Sequence, residues 1–315
     1  MNAPKDVMRT TARRQLVVAL CAAALASALT LSAQTPQTGV SAVDSLGRRL
    51  TLKTPAARII SLSPEATEAL FAAGAGPAVV ADTSYCDFPA AARGLPKIGG
   101  YSPETVSIEK ILALRPDVVV TGGRLHARIE AALIKLGIRV FAYEPQNFVD
   151  IADSMMALGE LAGTKETGIR AAATLTAAVE KVRALTENIP SSRRPTVFWQ
   201  VYDQPLMTCG RNSFAHQIIE LAGGRDVFSD LPGPWPVVSS EEVLNRAPEV
   251  ILSPDDMGDM VDATKLSARP GWSSLPAIQN KRLFLLPADL VSRAGPRIAS
   301  GLLIVLKDLH PELVP

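Results

Sequence analysis

The fold is decided by the stretch Thr164–Glu187, TKETGIRAAATLTAAVEKVRALTE. Its apolar side chains recur every three or four residues, the spacing that places them along one side of an α-helix. These side chains are Ile169, Ala172, Leu175, Val179, Val182 and Leu185. Gly163 precedes the stretch and Pro190 follows it, so helix-breaking residues bound it on both sides. The predicted helix is roughly 35 Å long, at about 1.5 Å per residue.

Strand-like and helix-like segments alternate on both sides of this helix, a pattern typical of α/β folds with parallel sheets. We therefore predict two similar lobes, each a mainly parallel sheet with flanking helices, joined by one long rigid helix. The predicted parts are an N-terminal α/β lobe (34–147), a helical segment that includes the interlobe helix (148–190), and a C-terminal α/β lobe (191–315). The alternative is an ordinary amphipathic helix that packs on a single domain.

Residues 1–33 have the pattern of a secretory signal peptide. The basic pair Arg13-Arg14 is followed by the apolar run LVVALCAAALASALTLSA, and cleavage after Ala28 or after Ala33 fits the small residues there. The paired arginines leave Sec and twin-arginine export both open, and a retained membrane anchor is the alternative. We expect a cleaved, periplasmic protein.

The composition of the remaining chain limits its partners. Of the whole sequence, 47% is apolar and 20% is charged, which indicates a globular protein. Without residues 1–33 the net charge is slightly negative, so we expect no nucleic-acid partner. No second apolar run is long enough to span a membrane. We expect a soluble monomer.

A repeat supports the two-lobed interpretation. The segment Ser239–Leu252 matches Ser107–Val120 at a constant offset of 132 residues, including Pro248 against Pro116. Two copies of one helix–strand unit, one on each side of the long helix, imply two lobes of similar construction.

Glu109 and Glu241 occupy equivalent positions in this repeat, each two residues after a serine N-cap. A carboxylate there stabilises the helix through its dipole, which is a sufficient local explanation. Ser239 and Glu242 also fit a capping box. The functional interpretation is that each lobe presents one acid on the same face to a partner with two-fold symmetry.

Several aromatic and polar residues lie in loops that suit a binding cleft. Tyr85 and Tyr101 follow predicted strands of the first lobe, and ligands of parallel sheets gather beyond the carboxyl ends of strands. Trp235 is held in an extended loop by a proline on each side, and it is either a plate for a ring-rich ligand or a cap on its own core. Three further residues are candidates for the cleft: Tyr202, Asp289 and Arg293. Trp272 is expected to pack in the core.

Enzyme signatures are weak. The histidines are only His126, His216 and His310, too scattered for a His-rich metal site or a His-based triad, and we expect no catalytic metal. Cys86 beside Asp87 leaves a two-lobed hydrolase as a remote alternative, although nothing marks a base for it. We expect Cys86 and Cys209 to be free, partly buried thiols.

Three motifs carry a resemblance over about residues 55–310: Arg58-Ile-Ile-Ser-Leu-Ser-Pro64, Pro234-Trp235-Pro236 with Ser239-Ser-Glu241, and Ser292-Arg293-Ala-Gly-Pro296-Arg297. Together with the repeated helix–Pro–strand units, they make the chain resemble the helical-backbone substrate-binding proteins of ABC importers, and most closely the cobalamin-binding members.

The resemblance implies a function without catalysis: cobalamin or a related corrinoid is captured between the lobes as the transported ligand, and is delivered to the permease dimer of an ABC importer in the inner membrane. It implies that Glu109 and Glu241 dock onto permease arginines. It also implies a set of cleft-lining residues: Tyr85, Tyr101, Tyr202, Trp235 and Asp289.

Two departures keep other ligands open. Tyr101 stands where the family pattern has a tryptophan, and so does Leu290. The remaining alternatives are another corrinoid such as cobinamide, a ferric siderophore, or haem. Haem would need an axial donor, for which Tyr85, Tyr101 and Tyr202 are the candidates.

Overall fold

The computed structural model describes residues 39–255 and 263–314. The predicted signal peptide and both of its cleavage sites lie outside the described residues. Gly39–Pro315 form one compact unit. Among the helices of the described ranges, none combines the length and the apolar character that a membrane span requires.

The long helix that was predicted from periodicity is confirmed. It spans Lys165–Thr186, with Thr164 at its N-cap and Glu187 at its C-cap. The other helices are Pro64–Ala72, Ala90–Arg93, Ile108–Ala113, Ala127–Lys135, Phe148–Ala162, Phe214–Leu221, Ser240–Arg246, Ala263–Ser267, Pro276–Gln279, Ala288–Val291 and Ile298–Leu309.

The strands, numbered β1 to β11 in chain order, are Val40–Val43, Arg49–Leu52, Ile59–Ser61, Val79–Ala81, Val118–Thr121, Val140–Ala142, Thr196–Tyr202, Met207–Thr208, Arg225–Asp226, Val250–Pro254 and Leu283–Leu286. One sheet has the order β4-β3-β5-β6, and its strands are all parallel. The second has the order β11-β10-β7-β8, with β9 also paired to β7, and only β8 is antiparallel there. The prediction of mainly parallel sheets is confirmed.

Two features differ from the sequence analysis. The hairpin of β1 with β2 was not predicted. The sequence of residues 97–103 predicts a short strand followed by a loop, but only isolated bridges form there, Asp82 with Lys97 and Gly99 with Val106. Gly99 has φ +140°, a conformation that interrupts an extended ladder, and a Cβ on it would lie 2.0 Å from the Thr105 carbonyl oxygen.

The two copies of the repeat share two structural details. Arg115 and Ala247, which are 132 residues apart, have φ 45° and 44°, the left-handed conformation, just before the proline of each copy. The next acidic residue closes each unit in the same way. Asp117 accepts a hydrogen bond of 2.9 Å from the Arg58 backbone N–H, and Glu249 accepts one of 2.7 Å from that of Thr196. Each carboxylate thereby fixes its strand beside the neighbouring strand.

The long helix packs against the elements on both sides of it. Its buried residues include Leu175, Val179 and Val182, and they belong to one apolar cluster that extends into both sheets. Two of the predicted stripe positions are wrong, since Ile169 is 44% and Leu185 is 37% exposed.

The helix instead buries small or polar residues at the two neighbouring positions. Gly168 allows close contact with Gly159 of the preceding helix, where a Cβ on Gly168 would lie 2.7 Å from the Met155 carbonyl oxygen. Thr186 donates a 2.8 Å hydrogen bond to the Leu221 carbonyl. The contact surface is therefore rotated slightly from the stripe that hydrophobicity predicts.

Candidate functional site

The candidate site lies where loops at the carboxyl ends of the first sheet's strands meet a segment that follows the second sheet. Glu65 follows β3, Gly122 follows β5 and Tyr143 follows β6, while Ser292 and Ala294 lie beyond β11. These loops enclose a pocket of about 280 Å³. Its lining is Glu65, Tyr101, Gly122, Leu125, Tyr143, Glu144, Pro145, Ser292 and Ala294. Of the predicted ligand residues, Tyr101 is the one among these.

Tyr101 is held in the pocket wall by His126. The His126 ring lies edge-on to the Tyr101 ring, with centroids 5.7 Å apart. Its Nδ1 accepts a 2.8 Å hydrogen bond from the Gly122 N–H, and its Nε2 is 2.8 Å from the Tyr101 carbonyl oxygen. Because a carbonyl only accepts, Nε2 carries the hydrogen and the ring is neutral. Burial lowers the pKa of His126, which keeps it in this form.

Glu65 was missed in the sequence analysis. It is the second residue of the helix Pro64–Ala72, and its Oε1 accepts a long hydrogen bond, 3.4 Å, from the Tyr101 hydroxyl. Burial raises the pKa of the Glu65 carboxyl, and burial together with the charge of Glu65 raises that of the Tyr101 phenol well above its ordinary range. The sequence signal was available, because Ser63-Pro64-Glu65 begins a helix directly after a buried strand.

Asp289 and Arg293, both predicted as ligand contacts, are bonded to each other at 2.7 Å. The Arg293 guanidinium also reaches Asp87 at 2.6 Å and Glu68 at 3.3 Å. Burial opposes ionisation of Asp87, but the hydrogen bond from Arg293 lowers its pKa below the usual value. Arg293 is therefore shared among three carboxylates, two of them from the first half of the chain.

A second arginine, also missed in the sequence analysis, strengthens this junction. Arg297 donates from Nε and Nη2 to the two oxygens of Glu68, at 2.8 and 2.6 Å, and its guanidinium lies 4.1 Å from the Phe88 ring centroid. The Glu68 side chain is only 1% exposed. Tyr143 adds a 2.7 Å hydrogen bond from its hydroxyl to the Ala294 carbonyl. The segment that follows β11 is thus clamped onto the first sheet's side of the pocket.

The other predicted aromatic residues are exposed. Tyr85 is 60%, Tyr202 43% and Trp235 45% exposed, so the alternative that Trp235 caps its own core is wrong. The Trp235 loop is fixed by backbone hydrogen bonds of 3.0 Å, from Gly210 to the Pro234 carbonyl and from Thr208 to that of Pro236. Trp272 is fully buried, as predicted.

Glu109 and Glu241 both lie exposed in the first turns of equivalent helices, Ile108–Ala113 and Ser240–Arg246. Their local bonding differs. Glu109 accepts a 3.0 Å hydrogen bond from the Ser107 hydroxyl, and its own backbone N–H together with that hydroxyl lowers its pKa. In the second copy the predicted capping box is confirmed, with Glu242 bonded to Ser239. In the second copy the capping box is therefore formed by Glu242, while Glu241 lies exposed in the same turn.

Cys86 and Cys209 are free and buried, which confirms the prediction of unpaired thiols. Burial raises the pKa of both. A buried thiol of raised pKa is a poor nucleophile, so the hydrolase alternative loses its candidate residue. Within residues 39–255 and 263–314, no group of three or more His, Cys, Asp or Glu side chains is arranged to hold a metal ion.

A larger cavity of about 420 Å³ lies along the long helix, lined in part by Leu175, Arg183 and His216. None of the predicted ligand residues borders it. We favour the smaller pocket as the site, because ligands of parallel sheets bind beyond the carboxyl ends of the strands.

Known proteins resemble this chain in sequence and in fold. Residues 59–290 match the model of the periplasmic binding protein family. The vitamin B12-binding protein of Vibrio cholerae is 32% identical over 244 residues, which covers 77% of this chain and 85% of the relative. The vitamin B12-binding protein of Salmonella typhimurium is 34% identical over 245 residues, covering 77% and 86%.

Solved structures share the fold. The periplasmic vitamin B12-binding protein of Vibrio cholerae matches with a TM-score of 0.71 at 30% identity, over 83% of this chain and 99% of that one. The apo form of a periplasmic haem-binding protein from Roseiflexus matches with a TM-score of 0.68 at 25% identity, over 81% and 98%.

Proposed function

The chain belongs to the periplasmic binding protein family, and we propose that it is an exported receptor that captures cobalamin or a related corrinoid and delivers it to an ABC-type importer. One observation carries the ligand class: relatives that are 32% and 34% identical over 77% of this chain are vitamin B12-binding proteins. In this proposal residues 1–33 are removed on export, and the mature monomer acts in the periplasm.

The proposed binding site is the cleft between the lobes 34–147 and 191–315. Members of this family bind solutes and are not enzymes, so the ligand is captured without chemistry. The exposed rings of Tyr85, Tyr202 and Trp235 would supply flat apolar surfaces against which a large ring system can pack. A pocket of about 280 Å³ is smaller than drug-sized ligands require. A corrinoid would therefore extend beyond it, onto these exposed rings.

In this account Asp289 and Arg293 orient the ligand as a pair. Because Arg293 already bonds to three carboxylates, the cluster presents polar edges to the ligand and little net positive charge. This arrangement suits a ligand whose rim is neutral and rich in hydrogen-bonding groups.

A haem or ferric-siderophore receptor of the same family is the second candidate, supported by the similarity to the haem-binding protein from Roseiflexus. Haem would need an axial oxygen from Tyr85, Tyr101 or Tyr202. Tyr101 is disfavoured, because burial and the adjacent Glu65 raise the pKa of its phenol and make the iron-binding phenolate harder to form.

Delivery is proposed to use Glu109 and Glu241, one from each copy of the repeat. Both are exposed, and both are the second residue of their helices. A pair of acids on the same face of two similar lobes is complementary to a basic, two-fold symmetric permease surface.

Charge reversal tests this delivery step. In cells whose uptake of cyanocobalamin depends on this protein, the double variant Glu109→Lys/Glu241→Lys should lose uptake by roughly tenfold or more, because like charges would meet at the interface. Binding of cyanocobalamin by the purified variant should be unchanged.

The matched control is Glu166→Lys, which changes the second residue of the long helix in the same way and should leave uptake intact. Undiminished uptake by the double variant, or an equal loss of ligand binding, would contradict the docking role of the two glutamates.

A further inference from the structure

Glu65 has an unusual place in the pocket. It lies in the first turn of the helix Pro64–Ala72 and lines the cavity together with Tyr101 and Tyr143. It is partly buried, and hydrogen bonds from its own backbone N–H and from Ser63 stabilise its carboxylate, while the contact from the Tyr101 hydroxyl is long, at 3.4 Å. A carboxyl removed from water retains a strong demand for hydrogen-bond donors, which these contacts meet only in part.

The charge of Glu65 is poorly compensated by the protein. The cation whose charge acts on it is Arg293. That guanidinium already lies 2.6 Å from Asp87, 2.7 Å from Asp289 and 3.3 Å from Glu68, so three other carboxylates share its positive charge.

The rest of the pocket adds no positive charge. Among the described residues that line it, Glu65 and Glu144 are acidic, and none is a lysine or an arginine. Glu144 has its own partner, since its carboxylate accepts from the Arg124 side chain at 2.8 Å and from the Arg124 backbone N–H at 2.9 Å. Glu65 is therefore the acid in the wall whose positive partner is shared with other carboxylates, and a donor on the ligand can add to its hydrogen bonds.

We propose that Glu65 sets the charge selectivity of the cleft, by accepting a hydrogen bond from an N–H donor on the ligand and by repelling ligand carboxylates. This inference rests on the proposed function and refines it. A corrinoid presents neutral carboxamides around its rim, which are N–H donors. Haem presents propionate carboxylates, which would lie against Glu65 in a site with little water.

Glu65 distinguishes ligands mainly by weakening the binding of those that place a carboxylate beside it. An amide N–H would replace solvent at the carboxylate of Glu65 and improve on the long contact from Tyr101. A carboxylate at the same place would put two negative charges together in a medium that screens them weakly, which costs more than an unmade hydrogen bond.

The test uses a matched pair of probes: cyanocobalamin, and the separate isomers of its monocarboxylic acid, in which one rim carboxamide has been hydrolysed. Affinities are measured calorimetrically at pH 8 with the mature protein. The wild-type protein should bind at least one isomer roughly tenfold or more weakly than cyanocobalamin. Glu65→Gln keeps the size and polarity of the side chain, and it should reduce this ratio to less than about threefold, a difference of under ~0.7 kcal/mol.

Two further variants make the result specific. Glu65→Ala should also relax the ratio, and it serves if the glutamine variant does not fold. Glu166→Gln removes an acid in the first turn of the long helix, which does not line the pocket, and it should leave the ratio at its wild-type value.

Each outcome bears on a different claim. Tight binding of cyanocobalamin with no discrimination against any isomer overturns the role of Glu65 and leaves the proposed function intact. Discrimination that persists unchanged in both Glu65 variants also overturns the role of Glu65 and leaves the proposed function intact. Failure of the wild-type protein to bind cyanocobalamin overturns the proposed function, and the inference that rests on it.

Discussion

At the scale of single residues, the position of Tyr101 depends on a neutral histidine. His126 accepts from Gly122 through Nδ1 and bonds to the Tyr101 carbonyl through Nε2, so it joins the loop after β5 to the loop that carries Tyr101. Protonation would give Nδ1 a hydrogen and abolish the bond from Gly122. The pocket wall is therefore sensitive to the protonation state of one buried ring.

This arrangement predicts a pH dependence of stability. Because the pKa of His126 is lowered in the folded state, the unfolded chain binds the proton more readily. The contribution of His126 to the free energy of unfolding is fully present above about pH 6.5, the ordinary histidine pKa, and is lost as the pH falls toward the lower folded-state value. Denaturant unfolding of the wild-type protein and of His126→Gln, from pH 8 to pH 5, measures this.

The difference in the free energy of unfolding between wild type and His126→Gln should shrink as the pH falls. Taking this difference cancels the titration of groups common to both proteins. A difference that stays constant over the whole range would show that His126 has the same proton affinity in the folded and unfolded states.

At the scale of elements, the sequence predicted what depends on local pattern. The period of apolar residues was enough for the helix Lys165–Thr186, and the offset of 132 residues was enough for the repeated helix–strand unit. The strand predicted within residues 97–103 is absent for a local reason too, the positive φ of Gly99, but a sequence does not reveal φ. Contacts between residues far apart in the chain could not be predicted from local pattern. The hydrogen bond between Arg297 and Glu68, which are 229 residues apart, is one of them.

The contact between the long helix and the one before it gives a prediction at this scale. Gly168→Leu would place side-chain atoms against the Met155 carbonyl, where even a Cβ lies within 2.7 Å. We expect a loss of about 1–3 kcal/mol in the free energy of unfolding, the usual cost of overpacking. Denaturant titration measures it. Ala173→Leu, on the exposed side of the same helix, should change stability by less than about 0.5 kcal/mol, and equal effects of the two changes would mean that the helices separate easily there.

At the scale of the whole molecule, an ion pair with a buried carboxylate joins the two halves of the chain. Glu68 comes from the helix Pro64–Ala72, and Arg297 lies just before the helix Ile298–Leu309. Their bidentate contact, with the Phe88 ring against the guanidinium, fixes the spacing between the halves. Together with the long helix, it makes a large hinge motion unfavourable, so we expect only modest closure on ligand binding.

Removal of Glu68 should be costly. Glu68→Ala removes the buried carboxylate that Arg297 and Arg293 both contact and leaves them only Asp289 in common. We expect a loss of about 3 kcal/mol in the free energy of unfolding, the low end for a broken buried pair because both arginines are partly exposed. The control is Asp230→Ala, which breaks the exposed pair with Arg246 and should cost less than about 1 kcal/mol. Similar losses in the two variants would show that the Glu68 pair does not hold the halves together.

The central claim, that this chain captures a corrinoid, is tested most directly by calorimetric titration of the mature protein with cyanocobalamin. We predict saturable, one-to-one binding with submicromolar affinity, and a weaker affinity for Trp235→Ala, whose exposed ring would lose its contact with the ligand. Absence of binding heat at several temperatures would contradict the claim, and the same titration with haem would then test the second candidate.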